Sequence, residues 1–186
     1  MIDGKSPDNS FNKGYIWKKS NDSIVRQQEI ADERVIMDLA QLKWTKNIKP
    51  TGDEPWAYSR YGKDSLFKLA WKDNEVNASK PQRGDLILLR QQGYVTHLVR
   101  VLDHKPEREP RQGEFNIYRI VEVAWVIDWA NPQALAKAEI LFDYASVLKY
   151  QGGDIMELVT LPTFQNRWGI DIIAFHERVK TTLNLI

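Results

Sequence analysis

Residues 80–129 read as three long strands in succession, and no other part of the chain limits the fold so tightly. Gly84-Asp85 opens the run LILLRQ, Gly93 marks a tight turn, and THLVRVLD follows. After the loop HKPEREPRQG, with its two prolines and five charged residues, EFNIYRIVEVAWVIDW completes the set. A turn of a few residues between β-rich runs can only reverse the chain, so the pattern predicts an antiparallel meander. In the second run Val95, His97, Val99 and Val101 alternate with Thr96, Leu98, Arg100 and Leu102. Both faces therefore carry apolar side chains, and the strand is expected to be covered on each side at least in part. Strands of this kind suit a small barrel.

A chain of 186 residues is long enough to bury a sizeable core and short for two complete domains. Lys and Arg number 26 against 25 Asp and Glu, so any polyanionic partner has to meet a local basic face rather than a bulk charge. With no cysteine, thiolate metal sites, disulfides and Cys nucleophiles are excluded. No run of 18 apolar residues and no charged-then-apolar leader is present, and the expected location is the cytoplasm, away from membrane. Seven of the 20 aromatic residues are Trp. Rings in that number need either a core or a ligand.

Along the chain, residues 1–13 are polar and read as a flexible leader, and residues 14–186 as a single domain with a helical C-terminal elaboration. Residues 14–17 look like a brief strand. Ser23 is placed to cap a helix over 24–44 with Ile30, Val35, Ile36, Leu39 and Leu42 on one face. Residues 49–55 hold a cluster of breakers and form a loop. Asp64 or Ser65 is expected to cap a short helix bearing Leu66, Phe67, Leu69, Ala70 and Trp71. Asn131-Pro132 predicts another helix start, with Leu135, Ala138, Leu141, Phe142 and Ala145 as its buried stripe. Gly152-Gly153 ends that region, 157–162 reads as a last strand, 163–169 as a turn, and a terminal helix begins near Ile170. The whole predicts an α+β fold, a twisted, closed antiparallel β-barrel with helices packed around its rim.

Catalytic patterns are weak. His97, His104 and His176 show no metal-ligand spacing, and neither a G-x-S-x-G elbow nor a phosphate loop is present. No catalytic residue, cofactor or metal is expected. Glu122 and Asp128 share a strand phase, with Lys137 further on, but fit a solvated strand edge better than a nuclease centre. His97, polar within a buried strand, is expected to form a core hydrogen bond. Trp125, in phase with Val121, Val123 and Ile127, belongs with the core, as do Trp44 and Trp71. Trp129, at the strand end, has the better chance of facing a cleft, and Trp168 in FQNRW is either a second nucleic-acid contact or a hydrophobic plug.

The order YIWKKSNDS, RYGKDSLFKLAWKD, QRGDLILLRQ, THLVRVLD resembles the EVE domain of the PUA-like group, related to the YTH readers of methylated adenosine. It covers roughly residues 14–129, and Arg60-Tyr61-Gly62-Lys63 stands where that family carries a Gly-Val-Arg-Asn-Tyr type loop. The resemblance implies a reader of a modified base in DNA or RNA, taking the base out of its stack and holding it between aromatic faces. It further implies a link to restriction or other defence systems through a partner effector protein. On it, Trp17 is the first candidate wall, with Trp56, Tyr58, Tyr61 and Trp129 as further rings. Ser20 and Asn21 are candidates for the base edge, and Lys18, Lys19, Arg60 and Lys63 for phosphates. The competing expectations are a protein-protein interaction module, with the aromatics purely structural, and a small-molecule sensor on the same barrel.

Overall fold

Of the three predicted strands, two pair through the shortest turn available. Gln92 and Gly93 both take positive φ, 50° and 81°, as a two-residue hairpin turn between twisted strands requires. The turn joins β3 (Leu86–Gln91) to β4 (Tyr94–Val101), and β4 pairs in turn with β6 (Ile117–Val126), so the meander forms as the pattern demands. The computed structural model describes residues 37–50, 53–109 and 115–185. From Leu39 onward the chain folds as one unit.

Four further strands complete the sheet: β1 (Leu42–Asn47), β2 (Leu66–Trp71), β5 (Glu107–Arg108) and β7 (Ile155–Glu157). Their order is β2-β6-β4-β3-β1-β7, with β5 paired to β6 inside the polar loop of residues 104–113. The sheet curls into a half-barrel. It is mixed rather than antiparallel, because β1 runs parallel to β3. Gly84 at φ 91° turns the chain into β3, and the buried Asp85 carboxylate accepts from Lys43 Nζ, Trp44 Nε1 and the Gln82 amide at 2.8, 2.8 and 2.9 Å. The Gly-Asp pair thus locks β1 to β3 at the point where the parallel pairing begins.

Several expectations are corrected. Residues 66–71 are a strand, not a helix. Their apolar positions fit either period, but β6 lies alongside, and Phe67, Leu69 and Trp71 turn inward while Leu66 and Lys68 stay exposed. The end of the predicted helix over 24–44 is also strand, since Leu42 and Trp44 belong to β1; residues 24–36, like the predicted strand 14–17, lie outside the described residues. The stripe after Asn131-Pro132 breaks into a 3-10 turn (Ala134–Ala136), α2 (Ala138–Phe142) and a second 3-10 turn (Ala145–Lys149), following α1 (Glu75–Ala78) in chain order. Asp143 at φ 57° ends α2, and Leu135 and Ala145 are left exposed.

The last strand is confined to β7 and gives way to a 3-10 turn (Leu158–Thr160). Residues expected to form the turn instead make α3 (Pro162–Trp168), started by Pro162, whose missing amide costs nothing in a first turn. Trp168 therefore sits on a helix, its Nε1 donating to Phe142 O at 2.8 Å and its ring 5.5 Å from Phe175 of α4 (Ile173–Thr182). Trp125 is not in the core. A bulge in β6 pairs Val123 with Val99 but Trp125 with Leu98, which reverses the face that Trp125 presents and leaves it half-buried. Trp44 and Trp71 are buried as expected. No helix among the described residues is long and apolar enough to cross a membrane.

Candidate functional site

The open side of the half-barrel holds a groove of about 1080 Å³. One wall is β2 with the loop 54–61, and the other is the end of β1 with the segment 151–154 that leads into β7. Buried side-chain amides pin both flanking segments, and on the β7 side Asn47 Nδ2 donates to Gln151 O at 3.1 Å. Gln91, wholly buried at the end of β3, accepts from Ala57 N at 2.8 Å and donates to Ala57 O at 3.0 Å, with Thr96 Oγ1 at 3.1 Å as a further acceptor. Asn77 does the same for Ile155: its Oδ1 accepts from Ile155 N at 2.7 Å and its Nδ2 donates to Ile155 O at 3.0 Å. A side-chain amide that satisfies both backbone groups of a residue replaces a strand neighbour. These contacts span 34 and 78 residues of chain.

Tyr58 and Tyr61 both line the groove. Tyr58 holds φ 61°, a left-handed conformation that costs a residue with a Cβ about 1 to 2 kcal/mol. It is kept there by stacking on Phe67 at 4.4 Å and by the Ala70 amide, which donates to its Oη at 3.1 Å. Burial raises the Tyr58 phenol above its ordinary pKa, while the Ala70 backbone opposes the shift and nearby Tyr61 adds to it. Tyr61 also stacks on Phe67, at 5.0 Å, and lies 6.4 Å from the Tyr58 ring, its backbone amide donating to Tyr58 O at 3.0 Å. Exposed Arg60 covers the Tyr61 ring at 5.0 Å and donates to its hydroxyl at 3.0 Å.

Trp56 and Trp129 stand behind this wall. The rings run in sequence from Tyr94 to Trp56 at 6.1 Å, to Trp129 at 5.5 Å, to His97 at 5.5 Å and to Phe67 at 6.0 Å. Neither Trp56 nor Trp129 lines the groove, so both tryptophans act as support rather than as a contact surface. Within the chain of rings, His97 is completely buried; its Nδ1 meets Thr96 Oγ1 at 3.1 Å, while its Nε2 has no hydrogen-bond partner among the described residues. Burial lowers its pKa from 6.5 to about 4, against a smaller upward pull from the Tyr58 backbone.

The groove's charge is uneven. The lining holds five cations, Lys46, Lys49, Arg60, Lys68 and Lys72, and three carboxylates, Glu54, Asp73 and Asp154, and Lys68 is in turn ion-paired with Glu109 outside the lining. Lys46 is the unusual member, only 2% exposed, with Nζ bonded to Gly153 O and 4.5 Å from the centre of the Trp71 ring. Burial lowers its pKa from 10.5 to about 8, partly offset by the Asp154 carboxylate. Lys63 is exposed outside the groove lining. Glu122 and Asp128 are not a pair: Glu122 meets Arg100 at 3.4 Å, and Asp128 accepts from the Ala130 amide beyond the strand. Trp17, Lys18, Lys19, Ser20 and Asn21 lie outside the described residues.

The structure therefore joins Tyr58, Arg60 and Tyr61 in one concavity, sets Trp56 and Trp129 behind it and leaves Lys63 apart. Gln91, Asn77 and Lys46 were not anticipated. The chain matches no protein-family model, no curated protein and no solved structure.

Proposed function

We propose that this protein is a non-catalytic nucleic-acid-binding module of the EVE or wider PUA-like kind, which takes a base of DNA or RNA into the groove. The observation that carries the reading is the meeting of Tyr58, Tyr61 and Phe67 with Lys49, Arg60 and Lys72 in one open concavity. Aromatic faces stack on a base without regard to its sequence, and cations track the phosphates beside it. The pinned loops supply preorganisation, since Gln91 and Asn77 hold the walls before any ligand arrives. The modified base, and a partner effector that acts on what is bound, come from the family resemblance alone.

Fluorescence anisotropy with labelled single strands of DNA and RNA, with and without base methylation, tests the reading at fixed salt. Tyr61→Ala should weaken binding by about 1 to 3 kcal/mol, roughly 5- to 150-fold. Absence of binding, or an unchanged affinity in the variant, removes the groove from the account.

A protein-interaction reading has its own observation. Ile170, in the link between α3 and α4, and Ile173, the first residue of α4, are 81% and 63% exposed, an adjoining pair of large aliphatics left in water. Ile173→Glu separates the two, because it should abolish a protein contact while leaving strand binding intact.

A further inference from the structure

Lys46 is unexplained by stacking or by phosphate tracking. It is a lysine of β1 that reaches the groove although nearly all of it is buried, and cations on half-barrel strands ordinarily stay in water. Its Nζ is bonded to Gly153 O and rests near the Trp71 face, so two of its directions are occupied. Beside it, the exposed glycines Gly152 and Gly153 of the groove lining leave open space where side chains would stand, with no atom of the described residues within 4 Å of either Cβ position. Asp154 follows, close enough to act on the Lys46 charge, while its carboxylate is held by Asn74 Nδ2 at 3.1 and 3.3 Å. Room for a ligand atom, a desolvated amine and an adjoining carboxylate thus occur together at one end of the groove.

We propose that Lys46 is a reactive amine that captures aldehyde-bearing ligands in the groove as an imine. The neutral amine adds to the aldehyde carbon, forming one N–C bond as the carbonyl π electrons move to oxygen. A proton passes from nitrogen to that oxygen, and the resulting carbinolamine loses water. The nitrogen lone pair closes the C=N bond as the hydroxyl leaves with a proton from solvent. The iminium so formed, its charge favoured by the Asp154 carboxylate, returns its N–H proton to solvent. Nothing is oxidised or reduced. A lysine desolvated in a cleft is the form in which this residue becomes a nucleophile near neutral pH. With its pKa near 8 instead of 10.5, Lys46 holds about 300 times more neutral amine at pH 7 than a lysine in water. The groove's other charges are Lys49 beyond β1, Lys68 and Lys72 along β2, Asp73 beside them, and Glu54 and Arg60 on the loop.

This inference stands apart from the nucleic-acid reading, since aldehydes occur both as small molecules and as the opened sugar of an abasic strand. The full chain is incubated at pH 7 with pyridoxal phosphate or with an abasic oligonucleotide, each with cyanoborohydride, and labelled peptides are mapped by mass. The expected result is labelling at Lys46 at least tenfold faster than at exposed lysines outside the groove such as Lys63 or Lys105, an advantage that shrinks by pH 10. Lys46→Arg keeps the charge and should abolish the adduct. Gly153→Leu keeps Lys46 but fills the adjoining space, and should slow labelling while leaving the melting temperature little changed. Faster trapping of the abasic strand identifies nucleic acid as the source, and trapping of pyridoxal phosphate alone identifies a small aldehyde. Labelling spread over the exposed lysines with Lys46 unmodified, or a rate unchanged in Lys46→Arg, overturns the inference.

Discussion

His97 makes acid stability a direct reading of the aromatic cluster. Its imidazole is completely buried among Phe67, Trp129 and Thr96, and burial holds its pKa near 4 against 6.5 in an unfolded chain. Between those values the unfolded chain takes up a proton that the folded protein refuses. Stability from this group is therefore fully present above pH 6.5 and lost as pH falls toward 4. A shift of that size corresponds to about 3 kcal/mol. Urea unfolding followed by Trp fluorescence, at pH steps from 7.5 to 4.5, should show the wild-type protein losing most of this amount relative to His97→Leu. Carboxylates titrate in the same window, but they do so in both proteins and cancel in the difference. Parallel pH profiles would refute the assignment. Should the variant fail to fold, the imidazole proton resonances of the wild-type protein give the same answer, with a midpoint near 4 expected and one near 6.5 contradicting it.

Asp85→Ala strands one buried donor, Trp44 Nε1, while half-exposed Lys43 and the amide of exposed Gln82 turn to solvent. The expected loss is about 1 to 3 kcal/mol in urea unfolding, the cost of leaving a buried donor unsatisfied. Arg60→Ala should weaken single-strand binding uniformly across sequences and reduce the slope of log affinity against log salt by about 0.7. Lys63→Ala, outside the groove lining, should leave that slope unchanged.

How far the fold could be read depended on whether the controlling contacts were local. The meander was legible because β-branched residues alternate through β4 and because a Gly-centred hairpin turn allows one geometry. β2 was not, since Leu66, Phe67, Leu69, Ala70 and Trp71 fit a helix as well as a strand, and only the neighbouring β6 decides between them. Trp44 and Trp71 were placed in the core although both were assigned to helices, because size and apolarity mark burial whatever the backbone does. Trp125 went wrong for a single-residue reason, a bulge with no sequence mark that inverts the phase.

The site divides the same way. Tyr58, Arg60 and Tyr61 stand out as aromatics and a cation directly after a cluster of breakers, where loops meet ligands. Gln91 and Asn77 left no local pattern, because what they hold lies 34 and 78 residues away. The one available hint for Gln91 was its place in a strand whose first four residues are all large and apolar. Lys46 was hidden by the ordinary rule that strand lysines point to water; its burial arises from Trp71 on β2 and the glycine loop before β7.

Photocrosslinking tests the central claim most directly, because it reports where a base lies rather than how tightly a strand binds. Single strands carrying 5-iodouridine, irradiated on the intact protein and mapped by peptide mass, should form adducts on Tyr58 or Tyr61. Adducts confined to the α3 and α4 side, or none from a strand that binds by anisotropy, would contradict a base held in the groove.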